Sequence, residues 1–428
     1  MAPLALVLAA AAAAVPLVRA GVYPIAESMA GDNFLQGWNW PDSFYDNTTS
    51  GEVFWYGSAE WNSSSPLIYK TAKGTTIMKV DDTSTVVSNE WHTTKRFAPK
   101  LLSKRAYGVG TVWVLDAIHM PYGCSVWPAF WTVGPKWPVG GEIDIMEGIH
   151  NQPVNQMALH SAEDGCYAPR TNQALMTGDW GSLNCSIGYS YGSGCTARDT
   201  DAASYGAGFA AAGGGVFVAE WAPEAIKIWF IPRARVPAAL TADAKSIDTS
   251  ILGTPTGYWG NKDCTFTRYF GPQTLILQTT LCGVWAGLES TLAQNGCTGY
   301  ASGQDCYTTY VNGDGSNYRT AYYEINYVNI FNAEVSTTPG VEGGLPADGP
   351  VAGNNNLGRQ QATSVSSSIV TQSDGATSLV QVTVTNNIPD VANAPTAVTT
   401  ASRKSGAQSR VGSALALASL AVFVASLF

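Results

Sequence analysis

The chain has 428 residues, with 23 Lys plus Arg against 32 Asp plus Glu, for a net charge of −9. Charged residues make up 13%, against about 25% in an average globular protein, and no basic stripe is present, which excludes nucleic acid and anionic membrane surfaces as partners. The 14 Trp, 19 Tyr and 13 Phe exclude wholesale disorder, and 44 Gly with few helical runs exclude a helical bundle. So many aromatic rings among so few charges suit a neutral, flat-faced ligand.

Residues 1–20 read as a secretory signal peptide: an apolar run ending in small residues, too short for a membrane span. The folded unit is expected over 21–335. It begins near NFLQGWNW (33–40) and carries short β-branched and aromatic runs at 111–118, 215–221, 225–232 and 274–281, most of them bounded by turn residues. Ala222, Pro223 and Glu224 separate the second and third runs and predict a hairpin. The nearest helical candidate, AGFAAAGGG at 207–215, is rich in Gly. Many antiparallel strands in one unit predict an all-β sandwich or jelly roll of two packed sheets.

All eight cysteines lie in this unit, at 124, 166, 185, 195, 264, 282, 297 and 306. An even count behind a signal peptide predicts disulfides, with a local Cys185–Cys195 pair across a Gly/Ser-rich turn; no CxxC is present, which argues against a zinc site. Asn47, Asn62 and Asn184 begin N-glycosylation sequons and predict surface loops. Residues 336–408 are rich in Ser, Thr, Gly, Ala and Asn and cannot bury enough apolar surface to fold, so they read as a disordered stalk. Residues 409–428 hold an apolar tail behind small residues and a short polar spacer, the pattern of a GPI-attachment signal; a tail-anchored span is the alternative. The chain is therefore expected to be secreted and GPI-anchored, at the outer face of the plasma membrane or in a cell wall.

The chemistry concentrates at GGEIDIMEG, 140–148. On a strand, Glu142 and Asp144 point to one face. Glu147 is an odd number of residues from Glu142, so strict alternation sends it to the apolar face of Ile143 and Ile145. One extra residue, a β-bulge near Met146, returns Glu147 to the face of Glu142 and Asp144. Three carboxylates on one face repel, and such a group does not serve stability. It suits a retaining glycosidase, whose nucleophile and acid/base stand about 5–5.5 Å apart, with the middle Asp orienting the nucleophile and separating the pKa values. A solvated edge strand or a calcium-binding cluster is the bland alternative. Against it, Trp127, Trp131 and Trp137 cluster just upstream, and aromatic rings stack on sugar rings. A hairpin through 150–155 places His160 across from Asp144.

This run, with GCSVWPAFW before it and MALHS after it, resembles glycoside hydrolase family 16, in its fungal endo-1,3(4)-β-glucanase, laminarinase-like branch. NFLQGWNW, 213–233 and LCGVWAGL (281–288) match in order, so the resemblance covers nearly all of 21–335. It implies a concanavalin A-like β-jelly roll with a concave glucan cleft, Glu142 as nucleophile, Glu147 as acid/base and Asp144 as assisting carboxylate. It also implies that Trp131, Trp137, His160 and Trp285 line the cleft, with Trp127 beside them. It implies a β-glucan partner, a monomer, and neither cofactor nor metal. Ser125 stands where the family commonly has Gly. Thr132 stands where it often has an acid, which bears on fine substrate preference. The rival readings are a wall transglycosylase of the same family, a non-catalytic β-sandwich lectin, and a serine hydrolase on the G-x-S-x-G at 188–192. That last motif lacks the required strand-turn-helix elbow.

Overall fold

A computed structural model describes residues 21–57, 66–87, 91–190, 192–332, 362–371 and 377–386. The segments read as signal peptide and GPI signal, and the Asn62 sequon, lie outside them. The chain divides into two units, 1–352 and 353–428. In the second, Ala362–Thr371 and Thr377–Asn386 pair as an antiparallel hairpin within the range read as a stalk.

The first unit is a β-jelly-roll sandwich of two nine-stranded sheets. One sheet runs in the order Ser246–Asp248, Val22–Ala30, Tyr322–Asn332, Thr111–His119, Gly215–Trp221, Ala225–Pro232, Gly257–Gly260. The other runs Asp179–Trp180, Cys195–Arg198, Gln156–His160, Glu142–Glu147, Val126–Val133, Gln273–Leu281, Arg96–Tyr107, Trp38–Asn39. Pairing along both paths is antiparallel; Val53–Tyr56 adds a parallel strand beside Arg96–Tyr107. All four runs expected as strands are strands, and Ala222 closes the predicted hairpin by donating to the Ala225 carbonyl at 3.0 Å. The helical candidate folds as one short helix, Gly206–Ala211.

Alternation builds the core. Trp113, Leu115 and Ala117 from one sheet meet Phe130, Ile143, Leu275 and Leu277 from the other in one buried cluster. Every second residue of the latter strands points to the outer face instead. There Trp131, Val133, Ile276 and Leu102 form a smaller cluster with Ala129, against which Trp137 packs. That face receives the acids.

Four disulfides are formed: Cys124–Cys297, Cys166–Cys264, Cys185–Cys195 and Cys282–Cys306. The local pair expected from the turn is among them. Asn47 and Asn184 lie in loops with half-buried side chains. Among the described residues no helix is long and apolar enough to cross a membrane.

Candidate active site

The strand Glu142–Glu147 lies between Val126–Val133 and Gln156–His160. Against the first, Glu142 pairs with Val133 and Asp144 with Trp131, but the next pair is Met146 with Phe130, skipping Ile145. Against the second, Glu147 pairs with Gln156 and Asp144 with Ala158, so three steps on one strand match two on the other. This is the bulge the spacing requires. Ile143, Ile145 and Met146 all have 0% exposure and belong to the main core, while Glu142 and Glu147 reach the outer face and Asp144 is 1% exposed between them.

One side chain fastens the bulge. Asn155, fully buried, accepts the Glu147 backbone N–H at 2.9 Å and donates to the Ile145 carbonyl at 3.1 Å. Its own N–H donates to Ser204 Oγ at 2.9 Å. The backbone groups that the extra residue takes out of the ladder thus find partners. Asn155 was not among the residues expected to matter. The available signal was an amide closing the turn of a hairpin whose partner strand must bulge.

Each glutamate is held by an indole. Trp127 donates to Glu147 at 2.9 Å and Trp137 to Glu142 at 2.5 Å. His160 pairs in register with Glu142, two residues from the expected partner, yet its Nε2 lies 2.9 Å from Asp144 Oδ2, a diagonal reach across the strands. The turn length and the bulge together set this register, which alternation alone does not give.

Charge crowding then separates the protonation states. Burial, aided by the Glu142 charge, raises Glu147 to about 7, while the Trp127 hydrogen bond and His160 pull it down. Burial, with Glu142 and Glu147, pushes Asp144 well above the usual carboxylate range, against the pull of His160. His160 loses basicity to burial but gains more from Glu142, Asp144 and Glu147, and stands at about 9. Asp144, by burial and the neighbouring carboxylates, and His160, by the carboxylates around it, are thus raised together and face one another across a 2.9 Å hydrogen bond. Glu142, Asp144 and His160 offer ligand atoms within 4.8 Å of one another, as a metal would need. Glu142, which the Trp137 indole holds, and Asp144, which His160 holds, already have hydrogen-bond partners within the site.

The other expected residues fall as follows. Trp131 lies on the outer face directly beside Asp144, 4% exposed, with Lys100 Nζ 5.7 Å from its ring centroid. Trp285 stands perpendicular to Trp127, ring centroids 5.4 Å apart. Thr132 points to the opposite face and donates to Gln273 at 2.9 Å; Gln273 in turn donates to the Gly140 carbonyl at 2.8 Å. It fastens the loop before Glu142 from the inner face. Ser125 has φ +72°, a region glycine enters freely, and its hydroxyl meets the Tyr318 hydroxyl at 2.9 Å. Ser190, in the G-x-S-x-G run, donates to the Ser186 carbonyl and accepts from Gly194 in a tight turn, not an elbow.

Residues 38–331 match the family model described as the XgeA-like, catalytic GH16 domain. A probable endo-1,3(4)-β-glucanase of Aspergillus fumigatus is 37% identical over 320 residues, 73% of this chain and 46% of that protein. The chain thus spans about half the length of the curated Aspergillus relatives it matches. Among solved structures, laminarinase 16A of Phanerochaete chrysosporium, with two β-glucans in donor and acceptor sites, superposes with TM-score 0.66 at 32% identity, covering 73% of this chain and all of that one. An elongating family 16 β-1,3-glucosyltransferase superposes with TM-score 0.63 at 32% identity, over 72% of this chain and all of that one. With the match spanning most of the sandwich and the bulged acidic strand at its centre, the chain belongs to glycoside hydrolase family 16.

Proposed function

We propose that this chain is a retaining endo-β-glucanase that cleaves β-1,3 and mixed β-1,3/1,4 glucans through a covalent glycosyl-enzyme intermediate. The observation that carries the reading is the bulge, which gathers Glu142, Asp144 and Glu147 on one face with an indole on each glutamate. Protonated Glu147 donates to the leaving oxygen as Glu142 attacks the anomeric carbon, so the glycosidic C–O bond breaks while an acyl–glycosyl bond forms. Glu147, now ionised, takes a proton from water, whose oxygen displaces Glu142. The hydrogen bond between Asp144 and His160 keeps a second full charge away from Glu142. Trp137 and Trp285, half-buried, supply faces on which glucose rings lie, packed against the nearly buried Trp131 and Trp127.

The likeness to an elongating glucosyltransferase favours a second reading, in which a sugar hydroxyl replaces water in the second step. One experiment separates them: purified 21–335 is incubated with laminari-oligosaccharides and the products are sized. Shorter products mean hydrolysis, and products longer than the substrate mean transfer. Glu142→Gln should lower turnover by about 10⁴-fold or more with the melting temperature held; a variant that still cleaves laminarin removes Glu142 from its role.

The proposal extends to location. A signal peptide over 1–20, a stalk over 336–408 and a GPI signal over 409–428 would place a monomeric catalytic unit outside the cell. The eight paired cysteines support an oxidising compartment. Release of the protein from cells by a phosphatidylinositol-specific phospholipase checks this; retention after treatment counts against the anchor.

A further inference from the structure

Trp285 sits on a poorly buried loop. It belongs to the short helix Gly283–Ala286, entered through Cys282 and Gly283 at φ +60° and +75°. Disulfides Cys282–Cys306 and Cys124–Cys297 tie the chain on either side. Between them Ala286 is buried against Trp127 and Ile149 and Leu292 is fully buried, while Val284 is 62% and Leu288 48% exposed; the Val284 N–H donates to the Thr49 carbonyl at 2.9 Å and the Tyr300 hydroxyl to the Gly287 carbonyl at 2.6 Å. The disulfides fix the ends of this loop and leave the orientation of its middle to other contacts.

A polar relay that starts at a buried histidine reaches that middle. His150 is fully buried, three residues beyond Glu147. Its backbone is pinned to the strand that carries Trp127: its N–H donates to the Val126 carbonyl at 2.9 Å, and its carbonyl accepts the Gly123 N–H at 3.1 Å. The ring Nδ1 accepts the Ser125 N–H at 2.9 Å, so the ring proton lies on Nε2 and is donated to Thr291 Oγ1 at 3.1 Å. The Thr291 hydroxyl hands its own proton to the Leu288 carbonyl at 2.7 Å, with the Trp285 carbonyl at 3.1 Å. Burial depresses the imidazole pKa to about 4, so at neutral pH the ring is uncharged and its tautomer is fixed by Ser125. The relay ends on the Leu288 carbonyl, with the Trp285 carbonyl as a longer second acceptor that also takes the Leu288 N–H at 3.2 Å.

We propose that His150 and Thr291 are positioning residues that fix the Trp285 indole against Trp127, and so set how tightly a glucan ring is seated beside Glu147. This rests on the glucanase reading and adds to it a determinant of substrate affinity outside the ring contacts themselves. Neither side chain touches the acids; both act through the loop.

Thr291→Val keeps the shape and removes the hydroxyl, whereas Thr291→Ser keeps the hydroxyl. On laminarin, Thr291→Val should raise KM about five- to tenfold, the loss of roughly one hydrogen bond, with kcat changed less than twofold, and Thr291→Ser should restore KM. A Thr291→Val enzyme with lowered melting temperature and unchanged KM would show a merely structural role and overturn the proposal, as would a KM rise that Thr291→Ser shares. If Thr291→Val does not fold, Thr291→Ala is read the same way. Calorimetric binding of laminarihexaose keeps the two readings apart. Should the wild type bind it without cleaving, the glucanase reading fails while weaker binding by Thr291→Val still upholds the relay; absence of binding by the wild type overturns the relay.

Discussion

At the scale of single residues, the proposed mechanism makes Glu147 the acid, and its surroundings suit that role near neutrality. Burial disfavours its charge, the Glu142 carboxylate adds to that, and the Trp127 indole opposes both. The acid step needs Glu147 protonated. With its pKa raised to about 7, kcat/KM on laminarin should therefore hold below that pH and fall about tenfold per unit above it. Trp127→Phe removes the indole N–H, a bond that favours the ionised carboxylate. Its loss should raise the Glu147 pKa and move the basic limb of the profile to higher pH. A limb that stays in place or moves down would mean that another group sets it. His160 is the residue that most resisted reading from sequence. Counting alternation through the hairpin sets it opposite Asp144, yet it is registered with Glu142 and reaches Asp144 diagonally.

The element that matters is the bulged strand and its hairpin partner. The odd spacing from Glu142 to Glu147 beside a wholly apolar inner face made the bulge legible, because the alternative buries an ionised carboxylate in the core. The sequence also showed the acids, the tryptophans upstream of them and the hairpin at 222–224. It did not show what holds the bulge. Asn155 does so by tertiary placement, its amide bridging Glu147 and Ile145, and nothing local distinguishes it from an ordinary turn asparagine. Thr132 is similar: alternation from Trp131 puts it on the inner face, and only the structure shows its partner, Gln273. Asn155→Leu leaves two buried backbone groups without partners, at about 1–3 kcal/mol each. It also frees Glu147 to shift. Activity on laminarin should fall on the order of 10²-fold, with a melting temperature several degrees lower. Full activity with a lowered melting temperature would confine Asn155 to the fold.

At the scale of the whole sandwich, two large sheets make a rigid support, and the chemistry lies on the outer face of one of them. The core between the sheets explains the apolar half of each strand, including Ile143, Ile145 and Met146 beneath the acids. Disulfide partners other than the local pair were closed to sequence reading, since Cys124 and Cys297 are 173 residues apart and meet only once the sandwich has formed. The central claim is that one extra residue sets Glu142 and Glu147 on the same face, where the proposed mechanism uses them as nucleophile and acid/base. The stereochemistry of the first product reports that arrangement directly. Proton NMR of laminari-oligosaccharide cleavage, followed within the first seconds before mutarotation, should show the β-anomer appearing first and the α-anomer growing in later. An α-anomer first would mean water, and not Glu142, attacks the sugar, and would contradict the account.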